Sequence, residues 1–196
     1  MKKKLTLVVS LLLVMALSIG GTLAYLTYTT DTVTNTFTIG RITLTLTEEG
    51  ATKNTTTGVY EKSYKIIPGT EVAKEPKLTV TKGSEECYVY ALVDNTLLID
   101  STVVGTPNID TDNWKTVATK GTQTLYRYKT TVNVLDADND WTESVFDTVT
   151  YAETITETNI VGLNGKTITI KGFAHQTAGV TVEEANDAAK TQFGMN

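Results

Sequence analysis

Apolar and polar residues alternate with a period of two along most of this chain. "ITLTLT" (42–47), "KLTVTK" (77–82), "TLYRYKTTVNV" (124–134) and "KTITIKG" (166–172) each put every second side chain on one face, the pattern of half-buried strands. Turn signals separate these runs at Pro68-Gly69, Lys82-Gly83, Gly105 with Pro107, Lys120-Gly121 and Asn164-Gly165. About eight to ten short strands are bounded in this way. With no helical period between them, they predict an all-β fold, a two-sheet, jelly-roll-like sandwich. One short C-terminal helix is expected over 181–193, in "TVEEANDAAKTQFG". Thr181 and Glu184 form a capping box, Val182, Ala185, Ala189 and Phe193 share one face, and Gly194 supplies the stop. The sandwich domain with its terminal helix therefore spans 41–196.

The alternation changes phase once, near the start. Up to residue 39 the apolar side chains are Val33, Phe37 and Ile39, on odd positions; from residue 42 they are Ile42, Leu44 and Leu46, on even ones. A flip beside Gly40 means a corner or bulge, because a straight strand would turn its second apolar set to solvent. Residues 25–40, "YLTYTTDTVTNTFTIG", are thus a separate strand segment with seven threonines, one charge (Asp31) and no proline. Left unpaired, such a segment is an aggregation hazard. It can pair as an edge strand of its own sheet or add to the sheet of another molecule, with Val33, Phe37 and Ile39 filling pockets there.

Residues 1–24 read as a signal peptide rather than as fold. Lys2, Lys3 and Lys4 form a basic start, Leu5 to Ile19 an apolar stretch, and Thr22 and Ala24 the small residues of a cleavage site between Ala24 and Tyr25. An uncleaved anchor is the alternative, but the apolar stretch is about 15 residues against the roughly 20 that a spanning helix needs. Membrane contact is expected only before cleavage, and the mature protein is expected outside the cell.

Composition supports sheet and narrows the partners. Threonine occupies 40 of 196 positions, and β-branched side chains favour a pleated surface over a helix. Without its first 24 residues the chain carries 14 basic residues against 22 acidic ones, which argues against nucleic acid or an anionic membrane as partner. Cys87 is the only cysteine, so no internal disulfide can form and the core alone must hold the domain. Inside "CYVYALV" it reads as a small buried hydrophobe.

Little of the chain points to catalysis. With His175 as the only histidine, a helical His-Glu-x-x-His zinc site cannot exist, and a Ser-His-Asp set would depend on this one residue. His175 reads as an edge or loop histidine. The paired acids Glu48-Glu49, Glu85-Glu86 and Glu183-Glu184 suit solvated positions, and the chain is expected not to be an enzyme. The best metal candidate is "DADNDW": Asp136, Asp138 and Asp140 have the spacing of the first ligands of a calcium loop, with Asp147 eleven positions after Asp136. Trp141 stands where such a loop needs glycine, so weak calcium binding is the most this turn predicts, and no cofactor is expected. "NIDTDNW" (108–114) repeats an acidic turn leading into a tryptophan, which fits a structural role for both.

The first 48 residues, with "GGTLA", then "AY" and "NTFTIG" before a strand, resemble the amino-terminal signature of TasA/camelysin-type exported proteins of Gram-positive bacteria. "IIPGTEVAKEPKLTVTKGSEECYVYALVDN" (66–95) is similar to that group's next block, and "TITIKGFAHQTAGV" before a terminal helix is similar to clostridial members; residues 96–150 carry nothing diagnostic. The resemblance implies a dedicated signal peptidase during export. It also implies a jelly-roll subunit of an extracellular biofilm-matrix fibre that polymerises head to tail with itself by N-terminal strand donation, in the matrix or at the cell surface. The metalloprotease activity ascribed to camelysin relatives is not carried over to a chain with one histidine. The alternative is a non-polymerising secreted surface-binding module, for glycan for example, using Trp114, Trp141 or the tyrosines.

Overall fold

The computed structural model describes residues 40–196, apart from Thr57. The expected signal peptide, the expected Ala24–Tyr25 cleavage pair and the expected strand segment with Val33, Phe37 and Ile39 lie outside the described residues. The chain divides between Ile39 and Gly40, and Gly40–Asn196 is a compact unit in its own right.

In this unit the period-two runs become antiparallel strands. They are β1 (Leu44–Glu48), β2 (Thr52–Lys53), β3 (Tyr60–Glu61), β4 (Glu71–Ala73), β5 (Pro76–Val80), β6 (Cys87–Asn95), β7 (Leu98–Ile99), β8 (Thr102–Val103), β9 (Gly105–Ile109), β10 (Trp114–Lys120), β11 (Gln123–Tyr128), β12 (Trp141–Ser144), β13 (Phe146–Tyr151) and β14 (Ile168–Gln176). One ladder orders β1-β5-β12 and another β4-β13-β9. They share one register: Trp141 faces Val80 and Thr150 faces Glu71 at a constant offset. Across the join, Val145 N–H donates to Pro76 O at 2.9 Å and Lys74 N–H to Asp147 O at 3.0 Å. The two ladders thus make one sheet of four long strands, β1, β4/β5, β12/β13 and β9. The second sheet orders β10-β11-β6-β14. The chain changes sheet repeatedly, between β5 and β6, β6 and β9, β9 and β10, β11 and β12, and β13 and β14, which is the jelly-roll-like sandwich. Counting interrupted strands once leaves eight long strands; the two-residue hairpins β2-β3 and β7-β8 are outside the two sheets.

The core lies between the sheets, around Leu78, Val80, Cys87, Val89, Val145 and Phe146, all fully buried. β6 is buried on both faces: Val89, Ala91 and Val93 enter this core, while Tyr90 and Leu92 join a second cluster with Leu125, Ala185 and Ala189. That two-sided burial explains the continuous apolar run "CYVYALV". The second cluster is closed by the helix α1 (Val182–Gln192), whose capping box has both reciprocal hydrogen bonds between Thr181 and Glu184. Gly194, at φ +66°, ends it in the left-handed region. An 11-residue helix is marginal alone, so burial of Ala185 and Ala189 on the sheet holds it.

Two expectations are corrected. Gly105 and Pro107 do not form a turn but lie inside β9, an edge strand, where proline's missing N–H costs no ladder bond. Residues 124–134 are not one strand: β11 ends at Tyr128, Arg127 Nη1 donates to the carbonyls of Tyr128 and Lys129, and only an isolated bridge joins Val132 to Cys87.

Candidate functional site

The acidic turn with Asp136, Asp138 and Asp140 is exposed, between Val134 and β12. Asp140 Oδ1 accepts the Lys82 N–H at 2.8 Å, and Lys82 Nζ donates to the Asp138 carbonyl at 3.1 Å. This turn therefore braces the β5-β6 turn, where Gly83 N–H also donates to Val134 O at 2.8 Å. Among the described residues no group of three or more His, Cys, Asp or Glu is placed to hold a metal ion.

The tryptophans form no open platform. Trp114 is 2% exposed, its indole N–H donates to Ser144 O at 2.8 Å, and its ring meets Tyr128 edge-on; Tyr128 in turn meets Trp141 edge-on. This aromatic row joins β10, β11 and β12 across the sandwich. Cys87 is fully buried, and burial pushes its thiol up to about 11, with the Glu86 charge adding to the shift, so the thiol is unreactive at neutral pH. His175 lies inside β14, an edge strand, and its Nδ1 is 2.9 Å from Gln176 O.

What remains distinctive is the sheet edges. Thr177 N–H donates to Glu86 O at 3.0 Å, and Thr167 O accepts from Thr96 N–H at 2.9 Å. Odd-numbered residues of β14 therefore turn their backbone towards β6, and Ile168, Ile170, Gly172 and Ala174 turn theirs away from it. Among the described residues no strand pairs with that outer edge. β14 keeps one-to-one register with β6 over nine residues, without bulge or proline. Opposite it stands β1, also an edge. A Cβ built on Gly172 would be 2.5 Å from Leu78 Cδ2 and 3.0 Å from Leu44 Cδ2, so the sheets touch there. Ile42, Leu44 and Leu46 from one sheet and Ile168, Ile170 and Ala174 from the other are only partly buried. They line a seam along this flank.

The other two edges are blunted. In β9, Ala152 N–H donates to Val104 O at 2.8 Å, so Gly105 and Pro107 face outward; Pro107 has no N–H, and Gly105 O is taken by Asn95 Nδ2 at 2.7 Å. In β10 the register shifts between Thr116 and Ala118, and at its end Lys120 Nζ donates to Gly194 O at 2.8 Å and Asn196 O at 3.1 Å. Proline and a bulge are recognised ways to stop edge pairing.

At the far end of β1 a polar network pins the strand. Lys74 Nζ is 2.6 Å from Glu48 Oε2, Tyr64 donates its hydroxyl proton to Glu48, and Lys74 sits 5.3 Å from the centre of the Tyr64 ring. Burial first, then the hydrogen bond to Glu48, hold the Tyr64 hydroxyl well above the ordinary tyrosine range. In the sequence Glu48 reads only as half of a solvated acid pair, and Tyr64 and Lys74 carry no signal; the Glu48 side chain is instead 14% exposed, because these three residues come together only in the folded chain.

Comparison with protein-family models, with curated proteins and with solved structures finds no match.

Proposed function

We propose that this chain is a secreted structural subunit of an extracellular, biofilm-matrix-type fibre, which polymerises head to tail when residues 25–40 of one subunit add as a strand to the next. The observation that carries the reading is a strand-prone, proline-free segment with a single charge, placed before a unit, Gly40–Asn196, that assembles its own buried core. Donor and acceptor surfaces differ, so the contact does not close on itself and extends into a filament. Main-chain hydrogen bonds supply affinity and alternate side chains supply specificity. The role is structural and needs no catalytic group or cofactor; export with cleavage between Ala24 and Tyr25 follows from the pattern of residues 1–24, and a dedicated signal peptidase from the resemblance to TasA/camelysin-type proteins. The buried Trp114 and the stacked Trp141 give the glycan-binding alternative no support.

The test is truncation. The chain beginning at Tyr25 is expected to form filaments under negative-stain microscopy without any other protein. A chain beginning at Arg41 keeps a cooperative unfolding transition, forms none, and binds a synthetic peptide of residues 25–40. Filaments from the truncated chain would sink the reading.

A further inference from the structure

We propose that the seam between β1 and β14 is the acceptor, and that its occupant is residues 25–39 of a second copy of this chain, hydrogen-bonded along the outer edge of β14; this rests on the strand-donation reading above. β14 offers the longest regular edge of the four: nine residues, with the backbone groups of Ile168, Ile170, Gly172 and Ala174 turned outward. β9 is interrupted by Pro107 and β10 by a bulge. β1 is shorter, and Glu48 O already accepts from Ala51 N–H at 3.1 Å. The side-chain patterns also fit. Even-numbered residues of β14 point into the sandwich, where Ile168, Ile170 and Ala174 stay half-buried beside Ile42 and Leu44. A strand added there puts one face into the same seam. Val33, Phe37 and Ile39 share one face of the segment, and its other face, from Thr30 to Thr38, is threonine at every even position, suited to solvent beside the exposed Thr169 and Lys171.

Chain direction favours a second copy as the source. Glu85 N–H donates to Arg41 O at 3.0 Å, and a Cβ on Gly40 would be 2.5 Å from Glu85 Oε1. The approach to β1 is therefore at the end of the sandwich where β14 finishes, with Gln176 opposite Cys87. A segment of the same chain reaching that point along β14 would run parallel to it, in a sandwich whose every pairing is antiparallel. A segment from another subunit is free to run antiparallel, the stronger pairing.

The buried Cys87 leaves engineered thiols as the reactive ones. Chains from Tyr25 carrying Thr36→Cys or Thr38→Cys are mixed with chains carrying Thr169→Cys or Lys171→Cys, assembled and oxidised. Disulfide-linked pairs on a non-reducing gel are expected at least about tenfold above those formed with Thr106→Cys on β9 or Lys115→Cys on β10. Ala174→Pro, which removes one outward N–H and leaves the β14-β6 ladder intact, is expected to abolish filaments from a folded monomer. Normal filaments whose cross-links go to β9 or β10, or that persist with Ala174→Pro, overturn the acceptor assignment and leave strand donation standing. A cross-link within one monomer of the Thr38→Cys, Lys171→Cys double variant overturns the second copy as occupant. Absence of filaments from the unsubstituted chain at every concentration defeats strand donation itself.

Discussion

On one flank of the sandwich the chain passes from β9 through residues 110–113 straight into β10, and Trp114, Tyr128 and Trp141 interlock behind that crossing. On the other flank β1 and β14 belong to different sheets, no strand among the described residues crosses between them, and Ile42, Leu44, Ile168 and Ile170 are half-buried. The first flank carries a proline and a bulge, features that prevent further pairing. Among the described residues β14 on the second carries neither.

The largest expected contrast is in the packing of the two flanks. Trp114→Ala empties a buried site and leaves Ser144 O without its donor, and should lower stability by about 3–5 kcal/mol. Leu44→Ala on the open flank removes a half-buried side chain and should cost about 1–2 kcal/mol. Urea unfolding of the chain from Arg41 measures both; equal losses would erase the difference between the flanks.

Gly172→Ala sharpens the comparison at the one point where the open flank is tight. The added methyl would meet Leu78 Cδ2 at 2.5 Å and Leu44 Cδ2 at 3.0 Å, forcing the sheets apart at a cost of about 1–3 kcal/mol. The paired substitution Gly172→Ala with Leu44→Ala should recover part of that loss, which a double-mutant cycle would detect.

A smaller effect separates the flanks by pH. The Tyr64 hydroxyl titrates above its unfolded value, so the folded state favours the protonated form. Its contribution is fully present below the unfolded value of about 10 and is lost as pH rises towards the folded value. Wild type should lose stability above about pH 10 more steeply than Tyr64→Phe, with protection of the β1 amides in hydrogen exchange falling first. An identical alkaline slope in both proteins would remove the network from the account of β1.

Two substitutions should change stability least. Pro107→Val restores an outward N–H to β9 at a stability change within about 1 kcal/mol, and light scattering should then report new lateral association through the formerly blunted edge. Asp138→Ala should leave the fold within about 0.5 kcal/mol. Calorimetry should find no micromolar calcium affinity in either form; a micromolar site lost with Asp138 would turn the acidic turn into a metal site.

Much of this protein was determined locally. The strands of "KLTVTK" and "KTITIKG" follow from a two-residue period, and the helix start follows from Thr181 and Glu184 three residues apart. The left-handed turns at Gly69, Gly83, Gly121 and Gly165 follow from the freedom of glycine at positive φ. Each needs only residues a few positions away. The turn signal of Gly105 with Pro107 fails for the same reason: glycine and proline two positions apart signal a turn locally, and only their place at the rim of a sheet makes them strand residues. The sequence also carries the donor half of the proposed contact, since the uncharged threonine run and its phase flip at Gly40 are visible without coordinates. The acceptor half was decided by tertiary structure alone. Whether the outer N–H of Ile170 or Ala174 has a partner depends on which strand lies beside β14, and its neighbour among the described residues, β6, is more than 70 residues away in the chain. No local pattern distinguishes an edge strand from a central one when both present the same alternating face.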